Sequence, residues 1–164
     1  MLQVYRDFAE EENVQILHVT GSSEYEALIA KAKQCGINCQ GAGNIILAPY
    51  LHNMPEAMAV ADLIIYRAGA IGLAEIAVRG LPSVLIPYPY AAENHQEYNA
   101  RLVEEKGAAV VIKDKELTGG LLSQTIRRLL SEQGKLTQMA IASKELGRPH
   151  ATGDIVEAIL ALLK

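Results

Sequence analysis

Two stretches of this chain carry the glycines and polar residues from which a ligand site could be built. The first, Arg67-Ala68-Gly69-Ala70-Ile71-Gly72-Leu73-Ala74-Glu75, follows an apolar run and opens a helical pattern. Gly69 permits a sharp turn, and Gly72 lets a ligand approach the backbone of a helix's first turn. Unpaired amides there, at the positive end of the helix dipole, suit a diphosphate facing Gly69, Ala70, Ile71 and Gly72. Glu75 lies three residues past Gly72, on the same helix face, and its carboxylate is able to accept from both ribose hydroxyls of a nucleotide. A plainer alternative stays open: glycines that ease helix–sheet packing, and a glutamate that only complements the dipole.

The second stretch runs Pro87-Tyr88-Pro89-Tyr90-Ala91-Ala92-Glu93-Asn94-His95-Gln96-Glu97-Tyr98-Asn99-Ala100. Asn94 with Glu97 three residues on resembles a capping box. The helical spacing gathers His95, Gln96 and Asn99 at one helix start. Amides both donate and accept, which matches sugar hydroxyls; a solvated helix N-terminus is the alternative. His95 has no second ligand spaced for a metal, so no metal is expected. Upstream, Tyr50 and Leu51 in Ala48-Pro49-Tyr50-Leu51-His52 close an apolar run, where an aromatic ring could stack on a base or simply pack.

The elements that must position these residues alternate. Short apolar runs at Val14–Thr20, Asn44–Pro49, Leu63–Tyr66, Ser83–Ile86 and Ala108–Ile112 read as strands. Helices are expected over 3–11, from Ser22 with serine caps to about Gln34, at Asn53–Val60 and Ala70–Arg79, and at Glu93–Lys106 closed by Gly107. Three more fill 116–131, 134–146 and 151–164. This alternation predicts an α/β fold, a Rossmann-like parallel sheet with helices on both faces. Ligands of such sheets lie at the carboxyl ends of the strands, which is where both stretches fall.

The bulk properties narrow the rest. With 164 residues, 50% of them hydrophobic and 21% charged, the chain suits one globular domain over 1–164. A net charge of −4 leaves no basic footprint for nucleic acid. The longest apolar run, Leu81–Pro89, is too short and too proline-broken to span a bilayer, and no secretory leader pattern opens the sequence; a cytoplasmic location is expected. Cys35 and Cys39 read as two reduced thiols rather than a zinc site.

Taken together, these residues resemble the C-terminal half of the peptidoglycan N-acetylglucosaminyltransferase family, enzymes of the two-Rossmann-domain (GT-B) type. The resemblance runs from about Val14 to the C-terminus. Ala61–Ala70, Ala74-Glu75-Ile76-Ala77, Gly80-Leu81-Pro82, Glu105–Ala109 and above all Asn94–Ala100 carry it. It implies a donor site for UDP-N-acetylglucosamine (UDP-GlcNAc), from which the sugar moves with inversion onto a lipid-linked acceptor, lipid I, to give lipid II. Glu75 is then expected to hold the ribose and Gln96 and Asn99 the sugar hydroxyls, with His95 beside them. Tyr50 and Leu51 match positions that pack on uracil and pair with it through the backbone, and the Gly69–Leu73 turn faces the diphosphate. No cofactor is implied, and full-length members are peripheral on the cytoplasmic face of the membrane.

The chain departs from the family at two positions. Gly72 stands where a threonine is usual and Ala68 where serine is common, which leaves the diphosphate to backbone amides alone. The acceptor-binding half is not in this sequence, so no catalytic residue carries over and the chain alone is expected to be inactive. The first, central strand is also missing, which predicts a slot between the strands at Val14–Thr20 and Leu63–Tyr66. Filling it calls for another chain, as a complementing N-terminal half or a homo-oligomer with a swapped neighbour, or for a rearranged sheet. The alternatives are a non-catalytic nucleotide-sugar-binding module, or the donor part of another UDP-GlcNAc-using GT-B enzyme or epimerase.

Overall fold

The computed structural model describes residues 1–39 and 43–163. Its order of elements is α1 (Leu2–Phe8), β1 (Ile16–Val19), α2 (Ser22–Gln34), β2 (Ile45–Ala48), α3 (Met54–Val60), β3 (Ile64–Tyr66), α4 (Ala70–Arg79), β4 (Ser83–Leu85), α5 (His95–Glu105), β5 (Ala109–Val111), α6 (Gly119–Ser131), α7 (Lys135–Leu146) and α8 (Ala151–Leu162). Short 3-10 turns at Ala92–Asn94 and Asp114–Glu116 precede α5 and α6. Every strand pairing is parallel, and the described strands form two sheets, β1-β2 and β3-β4-β5. The expected α/β class with parallel strands and flanking helices is what forms. Lys164, the last residue of the expected final helix, lies outside the described residues.

The chain divides into two compact units, Met1–Pro55 with Thr118–Arg128, and Glu56–Leu117 with Leu129–Lys164. In the first, Ile16–Val19 runs in register with Ile45–Ala48. The strands alternate: Ile45 and Leu47 are buried with Tyr5, Ala32, Ile37 and Cys39, while Ile46 and Leu17 stay exposed. Asn44 closes the loop between α1 and β1. Its Nδ2 donates to the carbonyls of Phe8 (2.7 Å), Val14 (2.9 Å) and Glu11 (3.1 Å), one amide holding three acceptors. Ser123 of α6 donates to Asp7, and Arg127 bonds Glu11 and the Asp7 carbonyl.

The start of α2 differs from expectation. No serine side chain caps it; the cap position is Gly21, at φ 79° and ψ 150°. Only glycine reaches that backbone cheaply, so the sharp exit from β1 takes the cap place and leaves Ser22 inside the helix.

His18 on β1 shares a hydrogen bond with the Tyr5 phenol, and burial holds the imidazole below the ordinary histidine range, assisted by the charge of the Met1 amino group. The unfolded chain therefore binds this proton more readily than the folded one. Stability from this group is present above about pH 6.5 and is lost as the pH falls toward the lower folded value. In urea titrations the midpoint is expected to fall between pH 6.5 and 5.5, and to fall less in His18→Gln. Equal slopes in the two proteins would remove His18 as the cause.

In the second unit β4 is the middle strand, in register Ile64↔Ser83↔Ala109. Ser83, Val84 and Leu85 are all buried, as a central parallel strand requires. Ala68, Leu85, Ala100 and Ala109 form a cluster there, closed by Leu73, Val103 and Val111. Helix α4 ends at Gly80, left-handed at φ 70°, and Lys144 of α7 donates to the Val78 carbonyl at 3.1 Å. β1 and β3 each pair along one edge only among the described residues.

Candidate functional site

The second unit places both chemistry-bearing stretches at the carboxyl ends of its strands. After Tyr66 the chain turns at once: Gly69 N–H donates to the Arg67 carbonyl at 2.9 Å, and Leu73 N–H closes the first turn of α4 on Gly69 O at 3.0 Å. The amides of Ala70, Ile71 and Gly72 come before that bond and have no acceptor within the helix. Ala70 and Ile71 are exposed, as is Glu75 one turn further along. Gly69 itself is extended, at φ −72° and ψ 142°, with open space where a side chain would stand. The turn therefore does not depend on glycine at 69. Gly72 is buried, and the room at its missing side chain is taken by the Tyr66 ring.

A single arginine ties together the ends of all three strands. Arg67 follows β3; its guanidinium reaches the carbonyls of Ile86 and Pro87 after β4, both at 3.3 Å, and Asp114 after β5 at 2.6 Å. It also sits 5.8 Å from the centre of the Tyr88 ring. The pair with Asp114 is solvent-exposed and contributes little to stability by itself. Its effect is to fix where the loop after β4 runs.

That loop sets the orientation of Gln96. Tyr88 N–H donates to Gln96 Oε1 at 3.0 Å. The amide oxygen is engaged by the backbone, so the –NH2 of the half-buried Gln96 remains as a two-proton donor. Asn99 is half-buried one turn on, and His95 is exposed at the helix start. His95 Nδ1 lies 2.7 Å from the Ala92 carbonyl. Since a carbonyl only accepts, Nδ1 carries a proton and is the donor.

The capping box expected from Asn94 and Glu97 does not form. Glu93 and Asn94 both have positive φ, 50° and 54°, so Asn94 lacks the extended backbone of a capping residue. Its side chain instead donates to Glu97 at 3.1 Å. Lys113, after β5, bonds the same carboxylate at 2.6 Å. Lys113 first and Asn94 second hold Glu97 below the usual carboxylate range.

The structure thus gathers Gly69, Ala70, Ile71, Gly72, Glu75, His95, Gln96 and Asn99 within one unit. Tyr50 and Leu51 belong to the first unit, just beyond β2. Tyr50 is 66% exposed, its ring edge-on to His52 with centroids 4.9 Å apart, and Leu51 is half-buried. Sequence reasoning did not assign Arg67, Asp114 and Lys113. Arg67 had a signal, a cation directly after a strand; Asp114 and Lys113 had none, because only the fold brings them near. Among the described residues no group of three or more His, Cys, Asp or Glu could hold a metal ion, and no helix is long and apolar enough to cross a membrane.

The family model of the glycosyltransferase family 28 C-terminal domain matches residues 1–155. A UDP-N-acetylglucosamine--N-acetylmuramyl-(pentapeptide) pyrophosphoryl-undecaprenol N-acetylglucosamine transferase of Desulforamulus reducens is 49% identical over 163 residues, 99% of this chain and 44% of the relative. Its namesake in Moorella thermoacetica is 50% identical over 160 residues, 98% of this chain and 43% of the relative. Among solved structures, MurG of Acinetobacter baumannii is similar at a TM-score of 0.77 and 29% identity, over 95% of this chain and 48% of that one. The calicheamicin glycosyltransferase CalG4, at a TM-score of 0.70 and 18% identity over 99% of this chain and 39% of that one, shares the fold. The chain spans less than half the length of the curated relatives it matches.

Proposed function

This chain belongs to the glycosyltransferase family 28 C-terminal domain family, and from that premise we propose that residues 1–164 form a domain that binds the donor UDP-GlcNAc for a transferase making lipid II from lipid I. The observation that carries this reading is the cluster at the strand ends: three helix-terminus amides, Glu75 one turn on, and the donor-oriented amide of Gln96 beside Asn99. The amides fit a diphosphate and stabilise charge on a UDP leaving group as it departs, an electrostatic role that requires no metal. Glu75 accepts from the ribose hydroxyls. Gln96 donates to one sugar oxygen, and Asn99 offers both a donor and an acceptor to its neighbours. Tyr50 and Leu51 are assigned to the uracil.

The donor is the only ligand assigned to these residues. Acceptor binding, proton removal from the acceptor and attachment to the cytoplasmic face of a membrane are assigned to the rest of a full-length transferase. The open edges of β1 and β3 suit pairing with that remainder or with a second copy of the chain.

Calorimetric titration tests the reading. UDP-GlcNAc is expected to bind the folded chain more tightly than UDP-glucose, because the acetamido group gives the two amide side chains an extra partner. A folded chain that takes up neither UDP-GlcNAc nor UDP would overturn it.

A further inference from the structure

We propose that Tyr66 supplies its phenolic hydroxyl to the donor diphosphate, and that position 72 is glycine so that the Tyr66 ring can lie against α4. This rests on the donor reading above and adds a residue to it. Tyr66 ends β3 at the carboxyl edge of the parallel sheet, immediately before the turn into α4. A Cβ placed on Gly72 would stand 2.1 Å from Tyr66 Cε1, 2.9 Å from Cζ and 3.0 Å from the hydroxyl oxygen. No side chain tolerates the first distance, and an aromatic ring has no flexible end to move aside. The ring therefore packs on bare backbone in the first turn of the helix: its Cε1 edge occupies the place where a side chain at 72 would begin, with the hydroxyl oxygen 3.0 Å from that point.

Packing alone does not account for the hydroxyl. Gly72 is buried, yet Tyr66 is 39% exposed, and its oxygen makes no hydrogen bond among the described residues. A tyrosine in a sheet face ordinarily presents an apolar body and finds a partner or bulk water for its tip. This tip lies beside the first turn of α4, where Ala70, Ile71 and Gly72 have amides without helical acceptors. Ionised phosphate oxygens only accept, so a further donor that brings no negative charge adds to the three amides. A phenol is such a donor. With alanine at 68 and glycine at 72, neither of those side chains offers a hydroxyl; Tyr66 brings one in from the strand.

The test is calorimetry with UDP, and ligand-observed NMR with uridine, on the wild type, Tyr66→Phe, Tyr66→Ala, Gly72→Thr and the double variant Tyr66→Ala/Gly72→Thr. Tyr66→Phe keeps the ring and removes only the oxygen. It is expected to weaken UDP about tenfold, as for one lost bond to a charged acceptor, while leaving uridine unchanged. Gly72→Thr alone drives its side chain into the ring and is expected to lower both UDP affinity and thermal stability. In the double variant the threonine finds space and a hydroxyl returns, so UDP affinity should recover most of what Tyr66→Ala loses. Unchanged UDP binding in Tyr66→Phe, or an equal loss for uridine, overturns the assignment. A folded wild type that binds neither ligand sinks the donor reading and takes the Tyr66 assignment with it, whereas UDP binding insensitive to Tyr66→Phe sinks the assignment alone.

Discussion

Replacing Glu75 by alanine is expected to lower the affinity for UDP-GlcNAc on the order of 100-fold, with no loss of fold. Glu75 lies on the exposed face of α4 and carries no core contact, so stability changes little. Its carboxylate is assigned to two ribose hydroxyls. Hydrogen bonds to charged groups contribute about 1.5–3 kcal/mol each. Part of that sum is offset by the water that an exposed carboxylate gives up, and a net of about 2.7 kcal/mol is a factor of 100. Glu75→Gln keeps one accepting oxygen without the charge and should fall between the two. A 2′-deoxy analogue of UDP provides the matching control: it should bind the wild type weakly and respond less to Glu75→Ala. If Glu75→Ala binds UDP-GlcNAc within threefold of the wild type, the carboxylate does not hold the ribose.

The largest effect on stability is expected from Gly147→Val. Gly147 follows α7, and a Cβ there would meet the Ala77 carbonyl oxygen at 2.9 Å, Val78 Cα at 3.0 Å and the Ala77 carbonyl carbon at 3.1 Å. All three are backbone atoms of α4, so nothing can rotate away; the chain after α7 has to move off the helix. Gly147 is extended, at φ −69° and ψ 141°, a conformation open to any residue. The cost is therefore one of contact alone. Overpacking of this kind costs about 1–3 kcal/mol, and valine's two methyl groups beyond Cβ put it at the upper end. Chemical denaturation should show the loss, with Gly147→Ala retaining more stability than Gly147→Val. A valine variant as stable as the wild type would mean that α4 and the segment after α7 are not held as described. Because α4 also presents the candidate diphosphate turn, UDP affinity should fall in parallel.

Much of the fold was legible because each element stated itself locally. The five apolar runs became five parallel strands, and Gly80 and Gly107 end α4 and α5 with the positive φ that their places past a helix suggest. The candidate site was legible only in part. Periodicity could place Glu75 on a helix face and gather Gln96 with Asn99, since both follow from residue spacing within one helix. It could not reveal that Gln96 has its oxygen engaged by Tyr88, because that depends on a loop steered by Arg67 and Asp114, 47 residues apart in the chain. The Asn94–Glu97 pattern misled for a related reason: the spacing fits a capping box, but the backbone of Asn94 is left-handed, and spacing carries no φ. Nor could spacing show that Gly72 has an aromatic ring from the preceding strand as a neighbour in space.

The fit of the Tyr66 ring on Gly72 has a bearing on how such a sequence can change over time. A tyrosine arriving at 66 while any side chain remains at 72 meets it at 2.1 Å. A glycine arriving first costs only backbone entropy, roughly 0.5–1 kcal/mol within a helix. The two substitutions therefore have a permitted order, glycine and then tyrosine, and a reversal must run backwards through the same intermediate. In lineages holding this pair, position 72 is held at glycine for as long as the tyrosine remains, and the tyrosine has to leave first.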